Sequence, residues 1–291
     1  MLEDSRLLRS QQIEQVVFFQ RAQWGRFLFR AFWLLVLCGC AAAQPTKAPM
    51  KRLLAIGASK GYQHDSISHA LAVYEHLGRE TGLWETFIRT DTQLITKKKL
   101  GLNAKNLDYF DTVYFYTTGE LDMDQEQKAA LLSFVKEDGK GFIAGHSAAD
   151  TFAQWPEYGE MLGARYDSHP WDQQVKIRVE DRNFPAMTHF PPSIELSDEI
   201  YQFKDWFRDK VRVLLSLDPQ SVDLNVKAVR RTDKDFALVW VKKYGKGRVF
   251  FNALGHRDDI YDRPDIQKMM LESVKWVMGL TDADVAPHAK P

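Results

Sequence analysis

"GFIAGHSAAD", residues 141–150, reads as a buried strand that runs into a polar turn. In many α/β enzymes a turn of this kind presents a catalytic Ser or Cys at the end of a strand. Here His146 and Ser147 stand where the nucleophile would be. The stretch therefore suggests a parallel sheet and poses a chemical question at its edge. The flanking chain repeats the pattern. "RLLAIGA" (52–58), "WETFIRT" (84–90) and a segment within "LDYFDTVYFYTT" (107–118) read as strands. Helices are predicted between them, over 66–81 with Asp65 as a cap and over 124–137 with Asp124 as a cap and Gly139 closing it. Strands alternating with amphipathic helices imply an α/β fold, a doubly wound and mostly parallel sheet.

After residue 170 the pattern changes. "VKIRVED" (175–181) alternates strictly, as a half-exposed antiparallel strand does, and "EIYQF", "VRVLLSL", "FALVWVKKY" and "GRVFFNAL" follow before a last helix over 264–278. "KKYGKGRV" has the form of a hairpin turn. The prediction is a β-rich extension on the C-terminal side. The domain plan is a leader over 1–43, a linker over 44–50, one folded domain over 51–280 and a polar tail over 281–291.

Composition narrows the function. Lys+Arg and Asp+Glu both number 39, so charge supplies no footprint for a polyanion, and nucleic acid is not expected as a partner. Both cysteines, Cys38 and Cys40, lie in the N-terminal apolar stretch, which leaves the domain without a thiol nucleophile, a disulfide or a cysteine metal ligand. Arg21, Arg26 and Arg30 precede "AFWLLVLCGCAAA" (31–43), the cationic-then-apolar pattern of a secretory signal. The apolar run is shorter than the about 20 residues of a membrane span. "LCGC" (37–40) has the form of a lipobox, with Cys40 as the lipidated residue. "AAA" (41–43) would instead permit ordinary signal cleavage. Export is the expectation, to the periplasm or to the envelope through an N-terminal lipid anchor.

Ligands of open α/β sheets bind outside the carboxyl ends of the strands. The loops there are "SKGYQHDS", "TTGELD", "GHSAAD" and "GHRDD", which carry His64, Glu120, His146, Asp150 and His256. His146 is a candidate general acid/base or a metal ligand. Ser147 lacks the G-x-S-x-G surroundings of a serine nucleophile and reads as a helix cap, with Asp150 completing a capping box. Glu120 could orient a histidine, bind hydroxyls or be a solvated loop charge. In "YDSHPW" (166–171), His169 and Trp171 could hold a sugar, or Trp171 could pack under the extension. No local H-x-x-x-H or C-x-x-C spacing announces a metal, and no G-x-G-x-x-G or Walker loop announces a nucleotide.

Taken together, "GYQHDSI", "TTGELDMDQEQKAALLSFV", "GKGFIAGHSAADTFAQWPEYGEMLGARYDSHPW", "DEIYQF", "VRVLLSLD" and "YGKGRVFFNALGHRDDIY" resemble the ThuA-like (trehalose utilisation) family over about residues 51–280. The resemblance implies a class I glutamine amidotransferase-like, flavodoxin-like fold. It also implies a role in sugar metabolism through 3-keto sugars made by a partner sugar 3-dehydrogenase. Amidotransferases of that fold place a Cys at the elbow, so His146 there removes glutamine hydrolysis. The expected activity is that of a hydrolase or lyase on a glycoside or 3-keto-glycoside, with carbohydrate as the ligand. A non-catalytic carbohydrate-binding lipoprotein is the alternative. His64, Glu120, His146 and His256 form the candidate catalytic set, and Asp150, His169, Trp171 and Arg257 the candidate sugar-binding set. His64, His146, His169 and His256 are the candidates for a divalent metal such as zinc.

Overall fold

The computed structural model describes residues 49–102 and 104–290, so the leader expected over 1–43, with the lipobox-like stretch and Cys40, lies outside the described residues. Met50–Pro291 forms one compact unit. Its strands are β1 (Lys51–Ile56), β2 (Trp84–Arg89), β3 (Thr112–Phe115), β4 (Gly141–Gly145), β5 (Arg165–Val179), β6 (Ser193–Lys204), β7 (Arg212–Leu217), β8 (Ala237–Tyr244) and β9 (Gly247–Asn252). The helices are α1 (Ser66–Thr81), α2 (Gln125–Lys136), α3 (Pro156–Leu162), α4 (Asp258–Asp262) and α5 (Pro264–Val277). Among the described residues no helix is long and apolar enough to cross a membrane.

One sheet holds all nine described strands, in the order β2-β1-β3-β4-β9-β8-β7-β5-β6. The first five are mutually parallel, and their order matches the flavodoxin pattern, with β9 in the place of the fifth strand. β3 and β4 are buried along their whole length, as parallel strands covered on both faces must be. From β1 the chain steps outward to β2 through α1, whereas from β3 it steps the opposite way to β4 through α2. Right-handed crossovers then put α1 and α2 on opposite faces. The doubly wound core expected from the sequence is present. The extension differs in one respect: β8, β7, β5 and β6 continue the same sheet antiparallel, so only five of the nine strands run parallel.

Local sequence explains the elements and their ends. α1 buries Ala70, Leu71, Val73 and Tyr74 and ends where Gly82 takes a left-handed backbone. Asp65 precedes α1, but its side chain makes no capping hydrogen bond. Asp124 does cap α2, in a reciprocal box with Gln127. β5 starts ten residues earlier than the alternating segment from Val175 suggests. Register shifts between Tyr166 and Ser168 and between Ser168 and Trp171 let Pro170 sit in a strand without breaking it. These irregularities also erase the period-2 signal in the sequence. The tail is not detached: Arg212 bonds Asp284 and the Ala286 carbonyl.

Candidate metal centre

Four side chains from distant parts of the chain meet at the carboxyl edge of the parallel strands. His64 follows β1, His146 follows β4 and His256 follows β9, while Glu199 comes from β6. One ligating atom from each lies within 4.8 Å of all the others. The imidazole centroids are 4.9 Å apart for His64 and His146, 5.2 Å for His64 and His256, and 5.5 Å for His146 and His256. The structure thus brings these three histidines of the candidate catalytic set together.

His146 is fully buried at the elbow, with φ +41°, in the left-handed region that non-glycine residues avoid. Its Nδ1–H donates to the Ala253 carbonyl at 2.6 Å. A carbonyl only accepts, so Nδ1 carries the proton, and Nε2 is the nitrogen left to face the cluster. That Nε2 stands 3.4 Å from Glu199 Oε2, and His256 Nδ1 stands 3.3 Å from the same oxygen. Neither nitrogen has a hydrogen-bond partner, and His64 Nδ1 is likewise buried and unpartnered. Burial, reinforced by His146 and His256, pushes His64 down to about 3, so its ring is neutral at physiological pH. Burial alone would raise the Glu199 carboxyl, but His146 and His256 outweigh it and hold the group well below the usual range. Glu199 in turn raises His256.

Unpartnered imidazole nitrogens around a carboxylate form the donor set of a borderline divalent ion. Ligands about 2.1 Å from a tetrahedral zinc stand about 3.4 Å from each other, close to the His146–Glu199 and His256–Glu199 spacings. The residues fit such an ion. His146, bonded through Nδ1 to a backbone carbonyl, already has the outer-shell support typical of a metal-binding histidine.

The backbone behind the centre is knit at one residue, Gly255. Asp198 is fully buried, and its Oδ2 accepts from Gly255 N–H at 2.6 Å. The Gly255 carbonyl accepts from Ser66 Oγ at 2.9 Å and from Tyr116 Oη at 2.8 Å. Gly255 has φ +115°, and a Cβ there would collide with the Tyr261 hydroxyl. The arms carrying His64, Glu199 and His256 are thus held by a single unit that only glycine can supply.

The remaining candidates are distributed differently. His169 lies at the rim, half exposed, with Nδ1 3.0 Å from Glu199 Oε1, so it meets the centre through the carboxylate. Glu120 is exposed and accepts from Gln154 N–H at 3.0 Å, a loop contact outside the cluster. Asp150 is half-buried, and burial raises its carboxyl despite Lys204. Trp171 is buried, donates to the Asp223 carbonyl and packs on Phe236, so it lies under the extension with no face for a sugar. Arg257 is exposed and paired with Asp259. Ser147 caps nothing: it lies inside a short 3₁₀ turn, His146–Asp150, fully buried and without a hydrogen-bond partner. The turn's first residue is His146 itself, which moves the capping position back to Gly145.

Sequence reasoning missed Glu199 and Asp198. Their signal was present: two adjacent carboxylates lead directly into the strand residues Ile200, Tyr201 and Phe203, and charges entering a buried strand require partners.

Strand order and cluster together define an α/β protein of flavodoxin-like topology with a three-histidine, one-glutamate centre at its carboxyl edge. The chain belongs to the ThuA family, described as trehalose utilisation, whose profile matches residues 52–277. No curated protein matches it significantly. Among solved structures it is similar to a ThuA-like protein from Bacteroides uniformis, at 23% identity and TM-score 0.65, over 82% of this chain and 95% of that one. It is also similar to a ThuA-like protein from Parabacteroides merdae, at 16% identity and TM-score 0.60, over 79% and 90%. A glutamine amidotransferase from Thermotoga maritima is a more distant neighbour, at 12% identity and TM-score 0.46, over 78% and 98%.

Proposed function

We propose that this chain is an exported enzyme of sugar metabolism that acts on a glycoside or 3-keto-glycoside, trehalose-like disaccharides included, through histidine acid/base chemistry at a divalent metal centre. The observation that carries the reading is the buried cluster of His64, His146, His256 and Glu199 with its unpartnered nitrogens. Family membership supports the sugar. When bound, the ion would supply Lewis acidity toward a substrate oxygen.

The chain's own residues divide the remaining work. His146, fully buried and fixed by Ala253, is a ligand more readily than a base that touches substrate. His169 is half exposed, and Glu199 orients it through Nδ1, so it is the imidazole best placed to move a proton in the cleft. On a 3-keto-glycoside the C3 carbonyl acidifies the C2 proton. Transfer of that proton to His169 forms the C1–C2 double bond as the C1–O bond breaks, and the departing oxygen takes up a proton. This elimination needs no pair of carboxylates flanking the glycosidic bond.

The test is metal analysis of the purified protein beside turnover of trehalose, cellobiose and their 3-keto forms. Bound zinc or a similar ion, with product from an oxidised disaccharide, supports the reading. No product from any of the sugars sinks it. A sugar 3-dehydrogenase would be the supplying partner. The leader over 1–43 supports export, and Cys40→Ser should release the protein from the membrane fraction if Cys40 carries a lipid.

A further inference from the structure

Tyr62 is an aromatic side chain left open to solvent beside the centre, 65% exposed. Its ring meets His64 edge-on at 4.6 Å and lies nearly parallel to His256, with centroids 6.1 Å apart and planes 27° apart. The backbone that displays it is pinned. Thr118 Oγ1 donates to the Tyr62 carbonyl at 2.7 Å, and Lys60 N–H donates to the Thr118 carbonyl at 2.9 Å. Gly119, at φ +75°, comes so close that a Cβ would stand 2.8 Å from Gly61 N. A large apolar face held rigidly in water gives up burial, and it is pre-organised for a ligand that covers it.

A second aromatic pair meets the other oxygen of Glu199. Tyr166 and His169 are nearly parallel, with centroids 6.2 Å apart and planes 23° apart. Both pairs converge on one carboxylate, since His256 approaches Oε2 and His169 approaches Oε1. Among the described aromatic contacts, Tyr62 touches neither Tyr166 nor His169. The centre is thus flanked by two ring faces with an anion between them.

Cations of these loops are already engaged. Lys60 pairs with Asp122, Arg257 with Asp259 and Arg230 with Asp167. A phosphate would therefore meet carboxylates at each of them. A pyranose ring has an apolar C–H face for an aromatic ring and an equatorial belt of hydroxyls for carboxylates. We infer that Tyr62 is the stacking platform, with Tyr166 as the opposing wall, of a subsite for an unphosphorylated pyranose ring. This deepens the sugar reading above and rests on it.

The experiment is calorimetric titration of the zinc-loaded protein with trehalose, 3-keto-trehalose and trehalose 6-phosphate, for wild type, Tyr62→Phe and Tyr62→Ala, with zinc content measured in each. Expected are affinities within twofold for Tyr62→Phe, and a loss of about three- to tenfold for Tyr62→Ala at unchanged zinc content. Trehalose 6-phosphate should bind more weakly than trehalose. Unchanged affinity in Tyr62→Ala overturns the platform while leaving the proposed activity standing. So does a loss of zinc in Tyr62→Ala, because the ring would then only shield the histidines. Tightest binding by the phosphate ester overturns the selectivity. If the wild type binds none of the three, the sugar reading fails and the subsite with it.

Discussion

A histidine at φ +41° stores backbone strain of roughly 1–3 kcal/mol, a cost borne only where the surroundings over-determine it. At His146 they do, because Nδ1 is tied to Ala253 and the ring lies against His64, His256 and Tyr201. His146→Ala frees the Ala253 carbonyl but breaks no bond between backbone groups, so it should keep the fold at reduced stability. It should lose zinc affinity measurably and turnover by at least about 10²-fold. Circular dichroism, equilibrium dialysis with zinc and activity would check this, and normal zinc binding would remove His146 from the ligand set. The sequence made this residue conspicuous, as a histidine at a strand end where a nucleophile is usual. It also made His64 and His256 conspicuous. What it could not show was that Nε2 of His146 points at a carboxylate more than fifty residues away in the chain.

Elements with a local cause were legible; elements shaped by tertiary contacts were not. α2 was readable from Asp124 to its end because the capping box is a four-residue signal, and both of its hydrogen bonds form. Asp124→Ala should therefore cost about 1 kcal/mol in a denaturant titration and leave activity unchanged. A loss within error would mean that Gln127, which also bonds the Thr92 carbonyl, holds the helix start alone. β5 was legible only from Val175, because the register shifts near Ser168 interrupt its alternation. Those shifts place His169 at the rim beside Glu199 and Trp171 inside. A sequence reading that treats 166–171 as one loop cannot separate the two.

At the scale of the whole molecule, the sheet has two chemically distinct edges. The edge opposite the centre carries Asp111, whose Oδ1 meets Lys51 at 3.4 Å and Lys140 at 3.1 Å, and whose Oδ2 accepts from Arg52 N–H. Burial would raise this carboxyl, but Lys140, Lys51 and the Arg52 amide outweigh it and lower it. A lowered folded value means that the pairing contributes fully above the unfolded value of about 3.9 and is lost as pH falls through the folded one. The melting-temperature deficit of Asp111→Asn should accordingly be largest near pH 7 and shrink below about pH 4. A deficit that persists unchanged at pH 3 would mean that Asp111 acts through packing.

The carboxyl edge is completed by the antiparallel half of the sheet. Three histidines come from loops after parallel strands, but the anion that gathers them comes from β6, the last strand in the sheet order. β6 reaches the centre because Asp198, its neighbour to Glu199, is bonded to Gly255 ahead of His256. The loops of the parallel core thus contribute the three histidines of the cluster but not its carboxylate, and Glu120, a carboxylate on one of those loops, accepts from Gln154 instead. Two isosteric changes separate the roles. Glu199→Gln keeps the shape but removes the charge shared by His146, His169 and His256 and turns one acceptor oxygen into a donor, so zinc affinity should fall tenfold or more and turnover with it. Glu120→Gln leaves an amide oxygen to accept from Gln154, so zinc affinity and turnover should stay within about twofold. The reverse pattern, with Glu120→Gln inactive and Glu199→Gln normal, would return the centre to the parallel loops alone.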